Sequence, residues 1–202
     1  MNHQNFPNKC LKFAPAFLIS TILVTFFIEP CFAKDKVKIR GEEYGGNGCP
    51  EGSASVSVSP DGQELSILFA QFVALGNQAD ESHKNCNFSI PIQVPQGFQI
   101  SIYNVDYRGY IAPDTIGRLR VEYFFAGQRG SIFSKTFRGE TDYNVRDKLV
   151  TMGGAWSACG NSVNMQVNAA MTASGQGIAT VDSFDLTQRG LVYYIKYRQC
   201  KK

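Results

Sequence analysis

The chain has 202 residues, 44% of them hydrophobic and 12% aromatic, with 20 basic against 17 acidic side chains and a net charge of +3. That much apolar material fills one core, so one globular domain is expected, and charges spread this thinly leave no footprint for nucleic acid. Nineteen glycines and eight prolines, set among many Val, Thr, Ser and Tyr residues, favour strands and turns over helices.

Residues 1–33 have the layout of a secretory signal peptide. Lys9 and Lys12 precede an apolar run from Ala14 to Ile28, and a short tail ends Cys31-Phe32-Ala33. The run falls short of the roughly 20 residues of a membrane span. Cys31 follows Ile28-Glu29-Pro30, which lack the small apolar side chains that a lipid-attachment site wants. Export with cleavage after Ala33 is therefore expected, giving a secreted, extracellular or periplasmic protein with no membrane span in its mature chain. Lys34, Lys36, Lys38 and Arg40 make residues 34–44 a basic, solvated tail, followed by a single domain over 45–202.

Cleavage removes Cys10 and Cys31 and leaves Cys49, Cys86, Cys159 and Cys200. Four cysteines in an oxidising compartment read as two disulfides. The pairing Cys49–Cys86 with Cys159–Cys200 is favoured, because each pair brackets a block of strand-like sequence. No Cys-x-x-Cys pair is present and His83 is the one histidine left, so neither metal nor cofactor is expected.

The glycine-rich stretch Gly45–Ser53 lacks the lysine and spacing of a phosphate-binding loop. Ala54, Val56 and Val58 alternate with serines, Ser59-Pro60-Asp61-Gly62 is a turn, and Leu65, Ile67 and Phe69 carry the apolar face back, which makes a β-hairpin. Residues 76–85 read as an exposed polar loop. Phe88, Ile90, Ile92 and Val94 then alternate, and Pro91 inside that run marks an edge strand or a bulge. Phe98, Ile100 and Ile102 share one face, after which the apolar phase shifts to Tyr103, Val105 and Tyr107. That slip predicts a β-bulge near Ile102–Asn104.

Strands are expected at Arg118–Phe125, Ser131–Arg138 and about Lys148–Met152, with turns at Gly127, Gly130 and Gly139. Val163, Met165, Val167, Ala169, Met171 and Ala173 alternate with mostly polar residues, the cleanest period-two pattern in the chain and the mark of an antiparallel strand with one wet face. A short strand ends at Val181, a polar turn holds Asp182 and Asp185, and a last strand runs from Leu191 to Arg198. The fold class is all-β: a disulfide-stabilised antiparallel two-sheet sandwich, with a jelly roll among the topologies it allows.

Six motifs occur in order: Cys49-Pro50-Glu51-Gly52-Ser53, Lys84-Asn85-Cys86, Pro95-Gln96-Gly97-Phe98, Asp106-Tyr107-Arg108-Gly109-Tyr110, Trp156-Ser157-Ala158-Cys159-Gly160 and Tyr197-Arg198-Gln199-Cys200. In this the chain resembles the domain-of-unknown-function 4360 family from about residue 45 to 200. The resemblance implies a secreted domain of this size and supplies no catalytic residue. Tyr197 stands where family members often carry tryptophan.

The aromatic and basic side chains of Tyr107, Arg108, Tyr110 and Trp156 form a candidate binding surface, since an arginine fork takes carboxylate or phosphate and aromatic rings stack on sugars or fill a partner's pocket. The bland counterpart is that the tyrosines pack the core while Arg108 pairs with Asp106 or another acid. Polysaccharide or a surface protein are the partners this chemistry suits. An enzyme would need an acidic pair drawn from Asp106, Glu122, Glu140 and Asp142, because no G-x-S-x-G motif accompanies His83. The reading that results is a secreted non-catalytic β-sandwich module acting at a cell surface or extracellular matrix. Its alternatives are a carbohydrate-active hydrolase and an inhibitor or toxin acting on another protein. Asn87-Phe88-Ser89 is a glycan acceptor sequence in a host that glycosylates. N-terminal sequencing of the exported protein should begin at Lys34; an intact mass that still includes residues 1–33 would overturn the export reading.

Overall fold

The computed structural model describes residues 36–128, 130–149, 156–181 and 190–201. The signal-peptide segment, Cys10, Cys31, Met152, Asp182 and Asp185 lie outside the described residues. In chain order the first strands are β1 (Lys38–Ile39), β2 (Glu43–Gly45), β3 (Ala54–Val58), β4 (Glu64–Phe69), β5 (Val73–Leu75), β6 (His83–Gln93) and β7 (Phe98–Ile111). They are followed by β8 (Thr115–Phe125), β9 (Ser131–Arg138), β10 (Thr141–Lys148), β11 (Ser162–Gly175), β12 (Ile178–Thr180) and β13 (Leu191–Gln199). One 3-10 turn, Ala79–Glu81, precedes β6.

Two antiparallel sheets result. In the first, β6, β11, β8 and β9 lie side by side, with β1 and β2 sharing the outer edge of β6. In the second, β3, β4, β13 and β7 are neighbours. Tyr107 pairs with both Leu191 and Val145, and Ile111 with both Thr141 and Ala179, so β10 takes one edge of β7 while β13 and β12 share the other. β5 pairs beyond β12.

The sheets meet through their apolar phases. Leu119, Val121, Met165, Val167, Ala169 and Met171 from the first face Leu65, Ile67, Ile100, Val105, Leu191 and Tyr193 from the second, all essentially inaccessible. Ring pairs span the layer: Tyr107 stacks on Phe133 at 4.1 Å, Phe137 on Tyr143 at 4.2 Å, and Tyr123 meets Tyr193 edge-on at 5.7 Å. Such pairs contribute about 1 kcal/mol each beyond the area they bury. Cys49 is bridged to Cys86 and Cys159 to Cys200, across sequence separations of 37 and 41. The first bridge lies near the start of β6 and the second beyond the end of β13, so opposite ends of the sandwich are stapled. A loop of that length is worth roughly 4 kcal/mol in the chain-entropy picture.

The phase slip in β7 is a bulge. Tyr194 pairs with Asn104 and Ile195 with Ile102, so Tyr103 has no partner on β13. Ile100, Ile102, Val105 and Tyr107 can then all reach the core. The Ser59–Gly62 turn also forms: Gly62 has φ of 72° and donates its N–H to the Ser59 carbonyl at 2.8 Å.

Three expectations need correction. Residues 36–44 are no free tail, because β1 and β2 pair along β6 and Val37 is buried. β6 is an inner strand; the Pro91 carbonyl accepts the Arg40 N–H at 3.1 Å, so its N–H-less side faces the break between β1 and β2, where no ladder bond is needed. A strand missed in the sequence runs from Thr141 to Lys148, ahead of the one expected at Lys148–Met152, of which residues 150–152 lie outside the described residues.

β9 and β10 flank the same side of the sandwich as sheet edges. Each turns one charge to its core-side face, Lys135 between Phe133 and Phe137, and Asp147 beside Val145. Charges pointed inward on edge strands discourage pairing with another chain.

On the outer face of the second sheet, Asp106 is buried and held by a fork. Arg146 donates Nε to Oδ1 at 2.6 Å and Nη2 to Oδ2 at 2.7 Å, and the Tyr194 hydroxyl donates to Oδ2 at 2.9 Å. The Arg146 hydrogen bonds hold the Asp106 carboxyl below the usual carboxylate range against the opposing effect of burial, with Tyr194 adding to them. Asp147 is the reverse case, since burial alone raises its carboxyl. Replacing Asp106 with Asn should lower the unfolding free energy by about 2 kcal/mol at neutral pH in urea titrations. Folded Asp106 releases its proton more readily than the unfolded chain, so its contribution is present above the ordinary carboxyl pKa and is lost as pH falls through the lower folded value. The gap to Asp106→Asn should therefore narrow in acid, and equal midpoints at neutral pH would dismiss the pair. Folded Asp147 instead favours its protonated form, whose advantage is present in acid and lost as pH rises through the raised folded value. Asp147→Asn should raise Tm at neutral pH and leave it nearly unchanged in acid; a lowered Tm at neutral pH would contradict this.

Candidate functional site

The structure separates the four side chains picked from sequence. Tyr107 belongs to no surface: it is 1% exposed and stacked on Phe133, and burial pushes its hydroxyl well above the ordinary tyrosine range. Arg108 is half-buried with its Nε enclosed and unpaired, and it is Arg146, not Arg108, that holds Asp106. Tyr110 is half-buried at the far end of β7, where desolvation and then the Glu140 and Asp142 carboxylates raise its hydroxyl. Gly109 between them is there for closeness, since a Cβ would sit 2.2 Å from the Thr180 carbonyl oxygen. That oxygen already accepts the Tyr143 hydroxyl at 2.6 Å, and Thr180 Oγ1 accepts the Tyr110 N–H at 3.0 Å. The motif from Asp106 to Tyr110 thus secures β7 to β10 and β12.

Trp156 lies at the other end. It neighbours Gln99, which donates Nε2 to the Ser157 carbonyl at 2.7 Å; from Gln99 to Tyr107 along the strand is roughly 26 Å at about 3.3 Å per residue. The Arg198 guanidinium stands 4.0 Å from the centre of the Trp156 ring and Lys196 Nζ 5.2 Å from it. Gln128 Nε2 donates to the Trp156 carbonyl at 2.7 Å. The Ser157 N–H donates to the Ile100 carbonyl, and Ser157 Oγ accepts the Ile100 N–H at 3.0 Å, so this segment extends the ladder of β7.

Two concavities open at this end of the sandwich, beside the Cys159–Cys200 bridge. A cleft of about 410 Å³ is lined by Phe125, Gln128, Trp156, Val163 and Asn164 among others. A groove of about 310 Å³ is lined by Lys36, Lys38, Gln93, Gln96 and Asn161. Ser162 lines both, so the two adjoin.

From the cleft a row of carboxamides climbs the outer face of the first sheet. Asn164 Nδ2 donates to Ser89 Oγ at 2.8 Å and Gln166 Nε2 to the same oxygen at 3.2 Å. One step further Asn168 stands opposite Asn87 on one side and Glu122 on the other. Gln166 pairs in register with Phe124. These are the polar phase of β11 and the strands beside it, which the core does not use. Sequence periodicity placed Asn164, Gln166 and Asn168 on a wet face; that Asn87 joins them depends on the register of β6 against β11, which sets Asn168 opposite Asn87, and was not legible.

The acids considered for catalysis do not converge on one centre. Asp106 and Glu122 point outward from opposite sheets, Glu122 in an ion pair with Arg120 at 3.4 Å. Glu140 and Asp142 belong to the turn and strand next to Tyr110. His83 is exposed at the start of β6. Among the described residues, no group of three or more His, Cys, Asp or Glu side chains is placed to hold a metal ion, and no helix is long and apolar enough to cross a membrane.

Residues 35–200 match the family model described as Domain of unknown function (DUF4360). The chain is 36% identical over 179 residues to a protein of Arthroderma benhamiae described as an uncharacterized secreted protein, an alignment covering 82% of this chain and 73% of that one. Among solved structures, TmCBM61 in complex with β-1,4-galactotriose aligns with a TM-score of 0.32 at 8% identity, over 78% of this chain and 88% of that one. The carbohydrate-binding module TmCBM27, described in terms of mannan recognition, aligns at 0.29 and 11% identity, over 80% of this chain and 99% of its own. Scores this low establish no common fold.

The two bridges differ in access: Cys49 and Cys86 are fully buried, whereas Cys159 is exposed. Low-millimolar dithiothreitol without denaturant should therefore expose Cys159 and Cys200 to alkylation while Cys49 and Cys86 stay protected, as read by peptide mass mapping. Equal labelling of all four would show that the buried bridge is not shielded.

Proposed function

The chain belongs to the domain-of-unknown-function 4360 family, and from that premise we propose that it is a secreted, non-catalytic β-sandwich module that binds a saccharide at a cell surface or in an extracellular matrix. Secretion is supported by the relative described as secreted and by the layout of residues 1–33. The observation that carries the binding reading is the carboxamide row running from the Trp156 cleft up the outer face of β11.

A carboxamide offers two donors and one acceptor in a fixed plane, a match for neighbouring hydroxyls of a sugar ring, which donate and accept in turn. Asn164 and Gln166 are pre-oriented through Ser89. The side chains of Asn87, exposed, and Asn168, half-buried, stand in register on the same outer face, where their amides can reach a ligand. Phe124 and Trp156 add apolar surface beside the amides, where sugar C–H groups can rest. The face is a flat strand array without a closed pocket, which suits an extended polymer.

Affinity electrophoresis with soluble polysaccharides and depletion by insoluble ones should detect binding by the mature protein. The double variant Asn87→Ala/Asn168→Ala should weaken it about tenfold, the cost of losing two neutral hydrogen bonds, with Tm unchanged. The single tryptophan gives a second readout, since a ligand entering the cleft changes its emission. Failure of a broad panel, neutral and acidic, to retard the wild-type protein would sink the proposal. Release of reducing ends, abolished by changing one acidic residue, would replace it with the hydrolase reading.

A further inference from the structure

We infer that the groove between the start of β1 and the β6–β7 turn is an anionic subsite of the same surface, built to take the carboxylate or sulfate group of an acidic polysaccharide. The inference rests on the saccharide reading above and adds the ligand's charge to it.

The charged side chains that line the groove are all cationic. Lys36 and Lys38 line it, and none of its lining residues is acidic. Lys36 donates one of its three N–H groups to the Pro60 carbonyl, which fixes the ammonium at the groove wall and leaves two donors. Arg40 Nε donates to Gln93 Oε1 at 3.1 Å. This contact brings a third cation next to Gln93, a residue of the groove lining. Gln96 donates Nε2 to the Gly160 carbonyl at 2.6 Å and closes the floor beside the disulfide.

The acid nearest in charge effect is Asp61, and it is already committed. Its Oδ1 accepts from the Ser59 hydroxyl at 2.5 Å and from the Gln63 N–H at 3.0 Å. Those hydrogen bonds, Ser59 first and Gln63 next, keep the Asp61 carboxyl below its usual range, with a smaller share from Lys36. Asp61 is absent from the lining, and among the described residues no ion pair engages Lys36 or Lys38, so the two lysines bring net positive charge to the groove. Ser162 also borders the Trp156 cleft, so the groove adjoins it. An acidic chain crossing from one to the other would meet the lysines of the groove first and the Gln128 and Asn164 amides beyond them.

The test compares polymers that differ only in charge: polygalacturonate against its fully methyl-esterified form, and dextran sulfate against dextran. The mature protein should bind at least one charged polymer about tenfold more tightly than its neutral counterpart at low ionic strength, and salt should erase the difference. Which pair shows the preference identifies carboxylate or sulfate as the group taken. Lys38→Glu, at an exposed position, should abolish the preference while leaving affinity for the neutral polymer and Tm unchanged, and Lys38→Arg should keep it. Equal binding of charged and neutral polymers, or a preference that survives Lys38→Glu, overturns the subsite and leaves the saccharide reading standing. Absence of binding to all four overturns both.

Discussion

One extra residue in β7 governs how the second sheet is assembled. Tyr103 is passed over in the pairing with β13, so the two halves of a fourteen-residue strand present opposite sequence phases to the same core. Without that step either Ile100 and Ile102 or Val105 and Tyr107 would point to solvent, because strand side chains alternate strictly. The same step sets Asp106 on the outer face, within reach of Arg146 and Tyr194, and lets the first half of β7 run on to the Ser157 segment while the second half meets β10. Placement of Trp156 at one end and of the Tyr107–Tyr110 motif at the other is a product of that geometry.

Much of this was legible in the residues. The serine-valine alternation and the Ser59–Gly62 turn specify the β3–β4 hairpin, the phase slip specifies the bulge, and the long alternation of β11 specifies a strand with one wet face. What escaped did so for physical reasons. β10 reads Thr-Asp-Tyr-Asn-Val-Arg-Asp-Lys, an edge strand in which only Tyr143 is fully buried, so it carries almost no apolar period. β1 and β2 are too short and too charged to look like strands, and they exist because β6 offers them an edge. The aromatic-basic motif looked like a surface because chemistry at a strand position says nothing about its face. Strand parity, once the bulge is counted, turns Tyr107 inward.

The candidate site has a shared origin with the fold. A two-sheet sandwich uses one phase of each strand for its core and leaves the other phase unconstrained by packing. On β6 and β11 that free phase holds Asn85, Asn87, Gln93, Asn164, Gln166 and Asn168, where Lys, Glu and Thr would serve solubility equally well. Asn164 and Gln166 are tethered through Ser89, so part of the entropy of ordering them is met before any ligand arrives. The Cys159–Cys200 bridge holds the segment that joins this face to the adjoining cleft, which makes the integrity of the site depend on an oxidising surrounding.

The inward charges of Lys135 and Asp147 reach beyond the stability of the flank they occupy. High local concentration is the circumstance in which free sheet edges fuse into intermolecular β-structure. Here such fusion would force an ammonium and a carboxylate out of water. Pairing through this flank is therefore disfavoured even where copies of the chain are held close together.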